Sequence, residues 1–439
     1  MIPPHTLCYE HEYLYRVGSR LMAQTGRHAV PATAFDWLVE QSGTWLTFDH
    51  VGRVMVLKTQ QYVGVIQTPC GYVIEILPKT GKVGQTPAQA RQMLLEMLRH
   101  LPDFKHLALG MAHVQTCDMP MLAVLVQLAL QSFAQVVQRG LSRRYVSQQA
   151  NRATLSGRLC VSAQIRYNSA HRERFYTEHD DYSANTPENR LIRAAVLLAL
   201  RLCPHGAARQ LAHELNQRLA EIPASVDVAA DQRRVQAVSR APEYDAALAW
   251  AQLLLSGQSP LVGAGAQAAV SLLFDMNRLF ERYVTAHVAR QLPQGHHWVA
   301  QARHHALLQQ ADGRLHRRLA PDVLYQIDGQ NHYIIDAKWK TPRQGGTVAA
   351  ISSDDLHQMF AYAAAYLPHG GAVCVVYPKT EHFEAAVSTL RFNHIGAAPI
   401  ELWLIPFCLT QLALVDAPAH LPSLVRRARH AAGAIVECD

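Results

Sequence analysis

The hydrophobic period changes along this 439-residue chain. Over residues 1 to about 80, short runs of β-branched and aromatic residues ("TWLTFD", "RVMVLKT", "YVGVIQT", "YVIEILP") are separated by Gly, Pro or Asp, which predicts strands. Thr68-Pro69-Cys70-Gly71 predicts a hairpin between the last two, and "TAFDWLVE" a short helix between strands. From about 87 the spacing becomes helical. Leu94, Leu95, Leu98 and Leu101 recur after the start signal Thr86-Pro87. A second helix is predicted over about 118–138. A third opens at Thr186-Pro187, with more helix to about 220, loop over 221–240 and helix again over 241–256. "SGQSPLVGAGA" (256–266) has the composition of a linker. Beyond it the pattern predicts a long helix over 267–290, strands near 298–309, 314–327 and 332–338, a helix over 354–366, and strands at "GAVCVVYP" and "IELWLIPF". The reading is an α/β chain in three parts: a β-rich domain (1–115), a mainly helical, basic domain (116–265) and a C-terminal mixed-sheet domain (266–439).

Composition narrows this little. An apolar fraction of 49% with 17% charged residues is that of a globular protein, and the length exceeds what one core usually serves. The formal charge of +7 permits a polyanionic partner. Residues 139–174 carry Arg139, Arg143, Arg144, Arg152, Arg158, Arg166, Arg172 and Arg174 against the single acid Glu173. That stretch is either a solvated face or a track for phosphates. The eight cysteines are scattered with no C-x-x-C, which argues against a zinc ribbon or a disulfide framework. "MPMLAVLVQLALQSFAQVV" and "LIRAAVLLAL" are interrupted by Gln or Arg and read as buried helices, so no membrane partner is expected. The N-terminal "MIPPHTLCYEHEY" lacks the apolar run of a signal peptide, and a cytoplasmic protein is the default.

Chemistry gathers in "PDVLYQIDGQNHYIIDAKWK" (321–340). "LYQI" and "HYIID" are strand-like, and Asp328-Gly329 is a strong turn signal. A turn there sets Asp322 opposite about 335; a turn one residue later sets it opposite 337. Strand alternation places Asp336 and Lys338 on one face. Two carboxylates and an ammonium then meet at one sheet end. Clustered acids raise each other's pKa, and a hard divalent cation, Mg²⁺ or Mn²⁺, relieves that repulsion through oxygen ligands. The backbone carbonyl of Ala337 is a further candidate ligand. Lys338, kept protonated by the acids, would orient a water or offset charge on the transition state. Glu281, on a helix before the hairpin, either reaches the metal or pairs with Arg278 or Arg282 on a solvated face. Gln358 aligns with Tyr362 on the next helix and either supports the site or simply marks a helix boundary.

Together these residues resemble the PD-(D/E)xK nuclease fold, in which a helix Glu, a strand-end Asp and an acid followed two residues on by Lys form the site. Here those are Glu281, Asp322, Asp336 and Lys338, with Gln358 as a common addition. The segments "GVIQTPCGYVIEILPKTGK", "LSGRL", "DDYSANTPENRLIRAA", "MNRLFERYV", "IIDAKWK", "HQMFAYA" and "VYPK" extend the resemblance over nearly the whole chain, to the McrC family of nuclease subunits in McrBC 5-methylcytosine-dependent restriction systems. The resemblance implies cleavage of double-stranded methylated DNA with Mg²⁺ (Mn²⁺ as a substitute). It also implies an McrB-like AAA+ GTPase hexamer as partner, which binds the GTP and is stimulated by the β-rich domain. DNA contacts are then expected from Arg143, Arg144, Arg158 and Tyr362. Lys79 is either the stimulating contact or a charged turn residue. No G-x-x-x-x-G-K-[ST] loop, helix-turn-helix or zinc-finger signature occurs, so nucleotide binding and methyl recognition are expected in the partner. Two other readings keep the same residues in view: a stand-alone nuclease of this fold acting in repair or recombination, and a non-cleaving subunit that only stimulates the GTPase. No cofactor fingerprint or nucleophile elbow supports an unrelated metabolic enzyme.

Overall fold

The first eighty residues form β1 (His5–Tyr9), β2 (Tyr13–Arg16), β3 (Arg27–Val30), helix α1 (Ala32–Glu40), β4 (Leu46–Val51), β5 (Val54–Thr59), β6 (Tyr62–Gln67) and β7 (Val73–Leu77). The expected hairpin joins β6 and β7, with the Thr68 hydroxyl donating to the Tyr72 carbonyl and accepting from the Tyr72 N–H. Strands β1 to β3 escaped the sequence pattern because they are short and broken by polar residues. One sheet has the order β3-β2-β5-β4; another contains β1-β7-β6. Both contribute to a core of Cys8, Leu14, Val30, Phe35, Leu38, Leu57, Ile66 and Ile74. Helix α2 (Pro87–Leu98) starts where predicted. Thr86 and Gln89 cap it reciprocally, each side chain accepting from the other's backbone N–H (3.3 and 3.0 Å).

This computed structural model describes residues 5–19, 21, 24–79, 86–98, 119–171, 173–203, 205–236, 242–256, 270–289, 296–340, 342, 351–392, 398–409 and 413–416. The linker expected at 256–266 lies outside them except for Ser256. By packing, the chain divides into two compact units, residues 1–105 with 273–439, and residues 106–272.

The middle unit contains α3 (Met121–Arg139), β8 (Arg144–Arg152), β9 (Arg158–Leu159), α4 (Val161–Asn168), β10 (Phe175–Ser183), α5 (Pro187–Leu202), α6 (Ala207–Arg218), α7 (Val228–Gln236) and α8 (Pro242–Ser256). It is mainly helical as expected, with an added sheet of order β8-β10-β9. The loop expected over 221–240 instead carries α7. Asp227 accepts from the Ala230 N–H (2.9 Å) to start that helix, and Asp231 within it pairs with Arg190 at 2.6 Å. Among the described residues α3 alone is long and apolar enough to cross a membrane, and most of it is buried, packed with α5, α6 and α8.

The long helix expected over 267–290 divides into β11 (Val270–Asp275) and α9 (Met276–Ala289). Burial along "VSLLFD" alternates with period two, and β11 pairs with β6. Asp275 then accepts from the Asn277 N–H at 2.9 Å where α9 begins. There follow β12 (His296–Ala300), β13 (Ala306–Gln309), β14 (Leu315–Arg318), β15 (Val323–Ile327), β16 (Gln330–Ala337), α10 (Ser353–Tyr366), β17 (Gly371–Pro378), β18 (Val387–Phe392), β19 (Ile400–Cys408) and β20 (Ala413–Leu414). The strands expected at 298–309 and 314–327 are therefore each broken, and β13 and β14 form a separate exposed hairpin. The main sheet has the order β12-β15-β16-β17-β19-β18, with β20 on β19. β16, β17 and β19 run parallel, and α10 lies in the crossover from β16 to β17. Ile334, Val373, Val375, Leu402 and Leu404 pack with Met359, Tyr362 and Tyr366 of α10. The chain is thus α/β, with a β-rich N-terminal region, a helical middle and a mixed C-terminal sheet.

Candidate functional site

Asp328 and Gly329 have φ of 49° and 79°, the double left-handed geometry of a tight hairpin turn, and join Ile327 to Gln330. A bulge then intervenes: Gln326 pairs with Asn331, but Tyr325 pairs with Tyr333, leaving His332 as the extra residue. Val323 consequently pairs with Ile335. Continued by one residue, that register sets Asp322 level with Asp336, between the two positions expected from the sequence. Asp322 is tied there by its Oδ2, which accepts from the Ala337 N–H at 2.8 Å.

Lys338 lies just past β16, yet its N–H still donates to the Val376 carbonyl (2.8 Å), so the parallel ladder holds its backbone. Its Nζ stands 2.8 Å from Asp336 Oδ2, an ion pair. The same Nζ donates to Gln358 Oε1 at 2.9 Å. Gln358 Nε2 reaches Tyr362 Oη (2.8 Å), and that hydroxyl donates to the Ala320 carbonyl (3.1 Å). Helix α10 presents this pair because Ser352 caps it, accepting from the Asp355 N–H at 3.2 Å. Tyr362 is buried, with its hydroxyl between Gln358 Nε2 and the Ala320 carbonyl.

Glu281, on α9, is half-buried rather than on a solvated face. Gln301 was missed by sequence reasoning. Its amide nitrogen donates to both Glu281 Oε1 (2.7 Å) and Asp322 Oδ1 (3.1 Å), clamping the two acids. Gln301 follows β12 with φ of 50°, and a lone glutamine at an irregular turn carries no sequence signal.

Burial raises the pKa of Asp322, and the charges of Asp336 and Glu281 add to it, pushing it up to about 8. Asp336, 2% exposed, is raised by burial against the opposing charge of Lys338. Burial and the Asp336 charge raise Glu281. For Lys338 burial acts downward, but the Asp336 charge and the neighbouring acids overcome it, and the ammonium is favoured. A carboxyl whose pKa is higher folded than unfolded stabilises the fold fully below its ordinary value near 4, and that contribution is lost as pH rises through 8. In divalent-free buffer the melting temperature is therefore expected to fall between pH 5 and pH 9. Asp322→Asn should flatten the fall; an equally steep profile for the variant would contradict the assignment.

Among the described residues no three His, Cys, Asp or Glu side chains stand close enough to hold a metal ion as they are. Lys338 and Gln301 take the oxygens a cation would use: Asp336 Oδ2 on one side, Asp322 Oδ1 and Glu281 Oε1 on the other. The donor set itself fits a hard divalent cation. It consists of carboxylate oxygens, buried and mutually repelling, beside the Ala337 backbone. Elsewhere, Arg143 and Arg158 are exposed. Arg144 pairs with the buried Glu188 of α5. Lys79 is exposed, and its backbone N–H bonds Glu10.

These features define an α/β protein with a buried acid–lysine centre at the end of a mixed sheet. More particularly, the chain belongs to the family described as McrBC 5-methylcytosine restriction system component, which matches residues 57–378. No curated protein matches its sequence. Among solved structures, it is similar to a chain of the refined half-complex from the tetradecameric assembly of Thermococcus gammatolerans McrB AAA+ hexamers with bound McrC. The identity is 19%, the match covers 92% of this chain and 95% of that one, and the TM-score is 0.63. A chain of the Thermococcus gammatolerans McrBC complex seen by cryo-EM matches at 21% identity over 65% of this chain and 87% of that one, with a TM-score of 0.46.

Proposed function

We propose that this chain is the nuclease subunit, McrC-like and of the PD-(D/E)xK type, of a cytoplasmic 5-methylcytosine-dependent restriction complex. In this reading it hydrolyses phosphodiester bonds of methylated double-stranded DNA once assembled with an McrB-like AAA+ GTPase hexamer. The observation that carries the reading is the convergence of Asp322, Asp336 and Lys338 around the end of β16. Family membership and the fold shared with a chain of the McrB–McrC half-complex support it.

Asp322, Asp336, Glu281 and the Ala337 carbonyl would hold Mg²⁺, or Mn²⁺ in its place. When bound, that ion supplies Lewis acidity toward a phosphoryl oxygen and a more acidic water. The chain's own residues do the rest. The Lys338 ammonium offsets the negative charge that grows on the phosphorus-bound oxygens. Gln358, steadied by Tyr362, aims that ammonium. Gln301 keeps Glu281 and Asp322 together despite their repulsion. Residues 1–115, with Lys79 exposed just past β7, would face the GTPase, and Arg143 and Arg158 would meet DNA phosphates.

The test mixes the purified chain with its AAA+ partner, methylated DNA, GTP and Mg²⁺. Cutting is expected only in the complete mixture and is expected to stop with EDTA. A complex that hydrolyses GTP at a stimulated rate and leaves the DNA whole would overturn the nuclease reading in favour of a non-cleaving subunit.

A further inference from the structure

Glu10 directly follows β1 and is 2% exposed. Its Oε1 accepts two hydrogen bonds, from the Lys79 backbone N–H and from the Trp339 indole N–H, each 2.8 Å. Its Oε2 is buried with no hydrogen-bond partner. Its own N–H donates to the Leu77 carbonyl at 3.0 Å, so the acid is fastened to the end of β7. Trp339 is 7% exposed and comes immediately after Lys338. Its ring centroid lies 5.3 Å from that of Phe280, which immediately precedes Glu281. One indole therefore touches both segments that carry site residues, and one acid ties that indole to the N-terminal strands 329 positions away.

A buried acid is an expensive way to fill this space, since an apolar residue of similar size would avoid the desolvation. Burial raises the Glu10 pKa to about 7, and the two N–H donors act against that rise. What the acid does that an apolar residue cannot is join two separate backbone segments through one oxygen.

We propose that Glu10 and Trp339 are positioning residues, whose hydrogen bond fixes the end of β7 to the backbone that carries Lys338, so that displacement of the N-terminal strands is felt at the acid–lysine centre. This rests on the reading of that centre as hydrolytic and of the N-terminal region as the part facing the GTPase. The Lys338 backbone is held by the Val376 carbonyl, and the next residue's indole is held by Glu10. Without the indole bond, residues 338–340 can draw away from β17. The ammonium then loses its register with Asp336 and Gln358.

Trp339→Phe removes the donor and keeps an aromatic ring against Phe280. Glu10→Ala removes the acceptor, whereas Glu10→Gln keeps a carbonyl for both N–H groups. Two readouts are taken on the full chain. Hydrogen exchange followed by mass spectrometry needs no cleavage. Peptides covering residues 336–340 are expected to exchange about tenfold faster in Trp339→Phe and Glu10→Ala, with peptides of α5 unchanged and Glu10→Gln close to wild type. In the assembled complex, the cleavage kcat should fall by about tenfold in the same two variants with the KM for DNA unchanged. The double variant should be no worse than either single one. Unchanged exchange at 336–340, or losses that multiply in the double variant, would overturn the link. Faster exchange with no effect on kcat would confine the bond to a structural role and overturn the positioning claim. Wild type that never cleaves would instead overturn the hydrolytic reading, and with it any positioning for catalysis, while the exchange data still report the bond.

Discussion

Lys338→Ala in the assembled complex is expected to lower DNA cleavage by about 10²- to 10³-fold while leaving stimulated GTP hydrolysis intact. The magnitude is that of removing one preorganised charged donor from a transition state that gains negative charge. The preorganisation is visible in how firmly the side chain is held. Its backbone is laddered to Val376, and its ammonium is set between Asp336 at 2.8 Å and Gln358 at 2.9 Å. Lys338→Arg should not rescue fully, because a planar guanidinium does not fit the place of a compact ammonium between those two oxygens. A lysine that served only to neutralise Asp336 at rest would give a different result: Lys338→Ala would cut normally once Mg²⁺ was raised. Measuring cleavage against Mg²⁺ concentration, with GTP hydrolysis followed in parallel, separates the two.

Arg91→Met should destabilise the N-terminal region by about 3–5 kcal/mol, the usual cost of breaking a buried ion pair from one side. Glu75 is 1% exposed and central in β7. Arg91 of α2 meets it with two parallel bonds, Nε to Oε1 at 2.6 Å and Nη2 to Oε2 at 2.9 Å. Removing the guanidinium leaves a carboxylate in the sheet's core with its strongest compensation gone. Joint replacement, Glu75→Leu with Arg91→Met, should recover most of the loss, because the desolvation cost disappears with the charges. Thermal or denaturant unfolding of wild type, Arg91→Met, Glu75→Leu and the double variant checks this, and a single variant as stable as wild type would show that the pair contributes nothing.

Much of the centre was legible before any coordinates, for local reasons. Asp328-Gly329 forces a tight reversal because both positions take left-handed φ. Period-two alternation then brings Asp336 and Lys338 to one face without help from the rest of the chain. The capping of α2 by Thr86 and Gln89 is likewise written in neighbouring residues. Where local signals were mixed, the reading failed. "VSLLFD" suits a buried helix turn as well as a strand, and only pairing with β6 decides it. The segment at 228–236 looks like loop because its stability comes from an Arg190–Asp231 pair that joins distant residues.

What the sequence determined by itself is the inventory and the short-range geometry: which acids and which lysine, which turn, which helix starts. Tertiary structure alone decided the rest. The extra residue at His332 set Asp322 level with Asp336, Gln301 clamped Glu281 to Asp322, Arg144 paired with Glu188, and the Tyr362 hydroxyl reached the Ala320 carbonyl. Glu10 met Trp339 across almost the whole chain. The physical reason is that backbone sterics and capping act over a few residues and leave a pattern. A hydrogen bond or ion pair between remote segments depends on packing that no local period encodes.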